Sequence, residues 1–371
     1  MVQGAVVKRT VILNLLKYVL AFGLLGYVVW SNWKPGNPTG LEQLWNKHVV
    51  QGQSVHLGYL ALGATVLLTC IFITFFRWYL LVRAVGLPFR IVDALRLGLV
   101  GLFYNTFLPG SVGGDVVKAA GLAREQSRRT VAVATVIMDR AIALWALVWF
   151  VALLGSVFYL TGMLEGPGVA TSTRILRISL IIVGVTSAVW LALGFLPERR
   201  AEKFAGRLEN IPKIGGSAAE FWRAVWTYRC RPESVAVAML VSWVGHVGFV
   251  CAFYLCVRTL WDPATGRIPT FNEHFLLVPI GLIIQAMPMF PGGAGIGEAG
   301  FGGLYAWFGC AAAVAVVGSL VQRVLMWIFG LAGYVVYLQM KSQTQEAAAS
   351  PPEDASVEPG TALAATSATA G

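Results

Sequence analysis

Residues 91–115 read IVDALRLGLVGLFYNTFLPGSVGGD. An apolar run of helical length passes straight into a Pro-Gly tract that ends on a carboxylate, Asp115. Basic residues bracket the stretch: Arg83, Arg90 and Arg96 come before the tract, and Lys118, Arg124, Arg128 and Arg129 come after it. In a chain that lives in lipid, a segment flanked on both sides by cytoplasmic-type charge is not a single crossing. It reads as a re-entrant hairpin that dips into the bilayer and returns, with Pro109, Gly110, Gly113 and Gly114 at its turn.

Composition supports the lipid premise. The 371 residues are 57% hydrophobic and 12% charged, with mean hydropathy +0.70. Soluble domains carry about twice that share of charge, so this chain has too little polar surface to cover a globule in water. Within a bilayer the backbone must satisfy its own hydrogen bonds, which leaves helices or closed barrels. The apolar runs are long and do not alternate, so helices are expected and an outer-membrane barrel is not.

Six runs have spanning length: 11–30, 57–82, 131–160, 175–196, 235–260 and 311–338. The first follows Lys8 and Arg9 as a signal peptide would, but it is too long for an h-region and reads as a retained span. Two shorter runs, 91–108 and 275–290, each lead into a Pro-Gly tract. The loop after the fourth run carries Arg199, Arg200, Lys203, Arg207, Lys213, Arg223, Arg229 and Arg231, whereas 31–56 holds only Lys34 and Lys47. The positive-inside rule then places the basic loops and both termini in the cytoplasm, in the inner membrane of a cell. It also accounts for the net charge of +10 without nucleic acid. By the same logic the second short run belongs to a hairpin entering from the opposite face, with Pro291, Gly292, Gly293, Gly295 and Gly297 at its turn. The loop 197–233 is read either as helices lying on the lipid surface or as a plain connector. Residues 342–371 lack apolar periodicity and read as a disordered cytoplasmic tail.

The two halves match. LPGSVGGD (108–115) and FPGGAGIGE (290–298) each follow an apolar run and each end in a carboxylate. From Asp115 to Arg140 is 25 positions, and from Glu298 to Arg323 is also 25. The expected fold is all-α: six full spans plus two re-entrant hairpins in two inverted repeats, about 10–163 and 175–340, forming one transmembrane domain over 1–340.

The charged positions carry the function. Glycine turns let backbone N–H groups approach closely, and a helix start beyond them favours an anion. Arg140 and Arg323 are candidates for holding a phosphate, or for pairing with Asp139, Asp115 or Glu298 to fix helix packing. Asp115 and Glu298 can act as proton carriers, counter-ions or helix caps. Lys118, one turn past Asp115, has a local salt bridge as its structural alternative. Asn105 and His246 are read as hydrogen bonding between helices. Neither the five cysteines nor the four histidines show metal-ligand or redox spacing, so no metal and no cofactor is expected. No nucleophile elbow, Walker loop or other catalytic motif appears, and an enzyme is the less favoured reading.

Taken as a set, NTFLPGSVGGDVVK (105–118), Asp139-Arg140, PGGAGIGE (291–298) and Arg323 resemble the lysylphosphatidylglycerol synthase transmembrane region, a flippase-like domain family. The resemblance covers roughly residues 10–340. In two-part members it implies a membrane region that moves aminoacylated phospholipid between leaflets, beside a cytosolic domain that makes that lipid from aminoacyl-tRNA. Only a short tail follows the last span here, so synthase activity is not expected. The resemblance carries Asp115, Arg140, Glu298 and Arg323 over as cavity residues. The expectation is a flippase for an anionic or zwitterionic lipid, either a phospholipid or a polyprenyl-phosphate-linked one. The alternative is an enzyme or accessory subunit of envelope-lipid or lipid-linked sugar synthesis. Membrane lipids are the expected partners, with a homo-oligomer and a separate lipid-modifying enzyme left open.

Overall fold

The computed structural model describes residues 2–349 except 38, 109–112, 164–167, 196, 213 and 288–289, and gives the backbone alone for 2–14, 265 and 343–349. Thirteen α-helices make up the described fold, and no strand occurs among the described residues. Six are long and apolar enough to cross a membrane: α1 (Val2–Trp33), α3 (Leu57–Ala84), α6 (Arg129–Leu160), α7 (Val169–Gly194), α10 (Pro232–Leu260) and α13 (Ala312–Ala349). The chain is a polytopic all-α membrane protein. Outward-facing side chains agree: Val19, Phe22, Ile181, Leu191, Ile328 and Leu331 are all exposed. In water that much apolar surface would drive aggregation; against acyl chains it costs nothing.

The remaining helices are shorter. Helix α2 (Leu41–Trp45) runs into a π-turn, and α4 (Ile91–Phe107) is followed by α5 (Gly113–Glu125). Helices α8 (Glu198–Glu209) and α9 (Gly215–Arg229) fill the loop after the fourth span, and α11 (Phe271–Gln285) precedes α12 (Ile296–Trp307). The loop 197–233 is therefore mostly helical. Trp222 Nε1 donates to the Ala201 carbonyl at 3.0 Å, and Arg223 bridges Glu202 and Glu209.

Helix ends differ from the apolar runs. Helix α7 begins at Val169, ahead of the apolar run at 175, because Thr171, Ser172 and Thr173 continue the backbone ladder. Hydropathy marks the hydrocarbon, not the helix terminus. Helix α13 continues past Ser342 to Ala349, through QTQEAAA, which is rich in strong helix formers and meets no proline until Pro351. That part of the expected disordered tail is helical, and the rest lies outside the described residues.

Both short helix pairs fold back on themselves. In the first, Gln126 Nε2 donates to the Pro88 carbonyl at 2.8 Å, so α4–α5 starts and finishes at one point. In the second, Ala311 N–H donates to the Arg267 carbonyl at 3.2 Å, which closes α11–α12 in the same way. A capping box starts α11: Thr270 N–H donates to Glu273 Oε2 at 2.7 Å, and Glu273 N–H returns to Thr270 Oγ1 at 3.3 Å.

The two hairpins lie at different ends of α13. Phe103 packs at a tilt on Tyr334, Tyr104 meets Tyr337 edge to face, and Gly330 packs against Thr106 and Phe107. Helix α12 occupies the other half, with Gly302 on Ala312 and Val316 and Glu298 on Arg323. The core divides likewise. One cluster joins Trp78, Leu97, Leu122, Val131, Tyr228 and Met340; another joins Val28, Leu44, Phe253, Phe275, Phe308 and Val314. The second turn meets the C-terminal end of α4 between them. Gly292 abuts the Thr106 carbonyl, Gly295 abuts Ala21 of α1, and Tyr18 Oη donates to the Phe107 carbonyl at 2.6 Å.

Candidate functional site

Each hairpin tip carries one of the two carboxylates found by spacing, and each carboxylate receives its arginine. Asp115, in the first turn of α5, is gripped from α6 by Arg140: Nε to Oδ2 is 2.8 Å and Nη2 to Oδ1 is 3.1 Å. Glu298, in the first turn of α12, is gripped from α13 by Arg323 through both Nε and Nη2. Both are fork-on-fork pairs, the geometry that suits a planar guanidinium.

The turns are built differently. Gly292, Gly293 and Gly295 take φ of 53°, 68° and 80°, the left-handed region where a Cβ is strained. Glu298 Oε2 accepts from the Gly295 N–H at 2.8 Å and so caps α12 with its own side chain. In the first hairpin the requirement is closeness. A Cβ on Gly114 would lie 1.9 Å from the Gly101 carbonyl oxygen, so α4 and α5 can touch only without one. Asn105 Oδ1 accepts from the Gly114 N–H at 2.8 Å, which makes Asn105 the cap of α5. Gly113 opens that helix and Gly297 lies in the first turn of α12. Pro109 and Gly110 lie outside the described residues; Pro291 is buried in the second turn.

Beyond the shared fork the two sites diverge. Arg323 also donates to the carbonyls of Gly292 (2.9 Å) and Gly293 (3.0 Å). Its side chain is 4% exposed and that of Glu298 is 0%. Its charge is balanced and four of its N–H bonds are made inside the protein. The Arg140 side chain is 50% exposed, on the same face of α6 as the exposed Val133, Ile137 and Leu144.

Around Arg140 basic and acidic side chains are unequal in number. Arg77 of α3 donates to Asp139 Oδ1 at 2.8 Å and to Ser242 Oγ of α10 at 3.1 Å. Lys118 makes no local salt bridge with Asp115. That carboxylate is occupied by the guanidinium fork, and the Lys118 ammonium lies 4.4 Å over the Trp78 ring. Arg77, Lys118 and Arg140 therefore face only Asp115 and Asp139 among the described residues, three basic side chains to two carboxylates. His246 approaches the Ala143 carbonyl at 3.4 Å, a contact between helices as expected. No group of three or more metal-capable side chains occurs among the described residues.

Sequence reading missed Arg77 and the partner of Asp139. The available signal was an arginine inside the second apolar run, where intramembrane charge marks either a site or a buried pair.

Comparison with known proteins places this geometry in a family. A UPF0104 membrane protein of Pyrococcus horikoshii is 25% identical over 293 residues, covering 74% of this chain and 85% of its own length. Another, from Methanothermobacter thermautotrophicus, is 23% identical over 341 residues, covering 86% and 90% respectively. No solved structure matches. The model of the lysylphosphatidylglycerol synthase TM region matches residues 14–333, a span that contains both hairpins and both carboxylate–arginine forks, and the chain belongs to that family.

Proposed function

We propose that the protein moves a phosphate-bearing anionic or zwitterionic lipid from one leaflet to the other. The observation that carries this reading is the open Arg140: a half-exposed guanidinium within the α6 span, in a cluster of three basic side chains and two carboxylates. A phosphate reaching the exposed side of Arg140 can take guanidinium N–H bonds from Asp115, with Lys118 adding attraction. When the headgroup leaves, Asp115 takes the arginine back. The charge is never left unpaired in a low-dielectric site, where isolation is most costly.

The hairpins are re-entrant in this reading and form the tips of two inverted repeats. Support comes from their closed bases, their separate halves of α13 and the meeting of Gly292 with Thr106. Broken helices meeting near midplane are a recurrent way to build a transport site. Arg323 and Glu298 form the lock that holds the second turn in shape, while Arg140 and Asp115 form the gripping side. The basic loops and both termini face the cytoplasm of an inner membrane, by the loop-charge rule.

The test is reconstitution. Vesicles holding the purified protein should expose an inner-leaflet fluorescent phosphatidylglycerol to a membrane-impermeant quencher faster than protein-free vesicles. A fluorescent ceramide, which lacks phosphate, serves as the control probe. Equal rates with and without protein would sink the transport reading.

A further inference from the structure

A recess with an arginine in its lining lies at the other end of α3 from Arg77. It has a volume of about 600 Å³ and is lined by Val55, His56, Gly58, Tyr59, Arg258 and Trp261. Arg258 is its only arginine. The faces of Tyr59, Tyr254 and Trp261 surround the guanidinium at 5.2, 5.8 and 4.9 Å. Nη1 donates to Tyr254 Oη at 3.1 Å and Nη2 to Tyr59 Oη at 3.2 Å. Two hydroxyls and three ring faces fix its direction without neutralising it. Among the described residues Arg258 has no carboxylate at salt-bridge distance. The nearby Asp262 is engaged by Lys47 at 2.9 Å, a hydrogen bond that holds its carboxyl below the usual range.

The rest of the recess also suits an anion. The N–H groups of Leu57, Tyr59 and Leu60 bond to carbonyls of Val55 and His56, and that of Gly58 has no such acceptor among the described residues. His56 makes no capping bond to the helix, and the space where a Gly58 side chain would stand is empty. The level is that of a lipid headgroup: Arg258 is two residues from the end of α10 at Leu260, and α3 starts at Leu57. Leu57, which also lines the recess, is 69% exposed.

We propose that this recess binds the phosphate group of a lipid in the leaflet opposite the basic loops, with Arg258 as its principal donor. It is a different site from that of Arg140 and does not depend on the translocation reading. Retention of lipid here and flipping of lipid there can fail separately.

Native mass spectrometry of the full-length protein with added phosphatidylglycerol tests this. Arg258→Gln removes the charge; it should retain about tenfold less lipid than wild type. Gly58→Leu leaves Arg258 in place and fills the recess, so it gives the same loss if the cavity is the site. A parallel arm adds millimolar inorganic phosphate. Failure to displace the lipid identifies a headgroup site, and displacement through Arg258 identifies a soluble phosphate as the natural occupant. The proposal is overturned if folded Arg258→Gln and Gly58→Leu both retain phosphatidylglycerol as wild type does.

Discussion

Glu298→Gln should cost about 3–5 kcal/mol of stability, the usual penalty for removing one partner of a buried ion pair. Arg323 cannot turn toward water to compensate, because its side chain is 4% exposed. It is also tied to the carbonyls of Gly292 and Gly293, so the second hairpin turn should loosen with it. Thermal unfolding of the detergent-purified variant should show a midpoint lowered by roughly 4–6 °C. The double variant Glu298→Met with Arg323→Met gives a sharper check. Replacing both charges with apolar groups removes their desolvation cost, and such swaps are often neutral. Here recovery should be partial, because two turn carbonyls lose their donors at about 1–3 kcal/mol each. Full recovery would mean that Arg323 serves only as a counter-ion to Glu298 and does not anchor the turn. A Glu298→Gln midpoint within a degree of wild type would contradict the lock.

Arg140→Gln should behave in the opposite way. Its own side chain is half exposed while that of Asp115 is 11% exposed, so the loss of stability should be smaller than for Glu298→Gln, between the ~1 kcal/mol of exposed pairs and the ~3 kcal/mol of buried ones. Transport should fall much further, by roughly ten- to a hundredfold, since a charged hydrogen bond to the moving group is worth about 1.5–3 kcal/mol. Initial rates in the vesicle assay would show it. Arg140→Lys should recover only part of the rate, because an ammonium offers a point charge where the guanidinium offers a fork. A rate unchanged in Arg140→Gln would remove Arg140 from the transport path.

These contrasting expectations were only partly legible in the sequence. The six spans followed from hydropathy, and the fork partners followed from two equal spacings of 25 residues. Both come from local chemistry that a sequence displays directly. The asymmetry between the forks did not. Nothing in the string says that Arg323 also reaches the Gly292 and Gly293 carbonyls, or that Arg140 stays half exposed. Those facts depend on how α13 and α6 lie against the hairpins. Lys118 is a similar case. Its spacing of three from Asp115 predicts a local bridge, but Arg140 from another helix takes that carboxylate and leaves the ammonium on Trp78. Arg77 and Asp139 lie 62 residues apart and meet only through tertiary packing. Loop charge suggested hairpins, and the contacts of Gln126 with Pro88 and of Ala311 with Arg267 give them closed bases.

Everything proposed for transport rests on two hairpins entering the membrane from opposite faces. Cysteine accessibility at their bases tests that most directly. All five native cysteines would be replaced by alanine, Cys310 being kept only in the variant where it is itself the probe, and membrane-impermeant thiol reagent applied to sealed vesicles of each orientation. Arg90→Cys and Glu125→Cys should both label from the cytoplasmic face alone, while Ala264→Cys and the native Cys310 label from the other face alone. If Arg90→Cys and Glu125→Cys label from different faces, α4–α5 crosses the bilayer and the account of a midplane site between two returning hairpins is wrong.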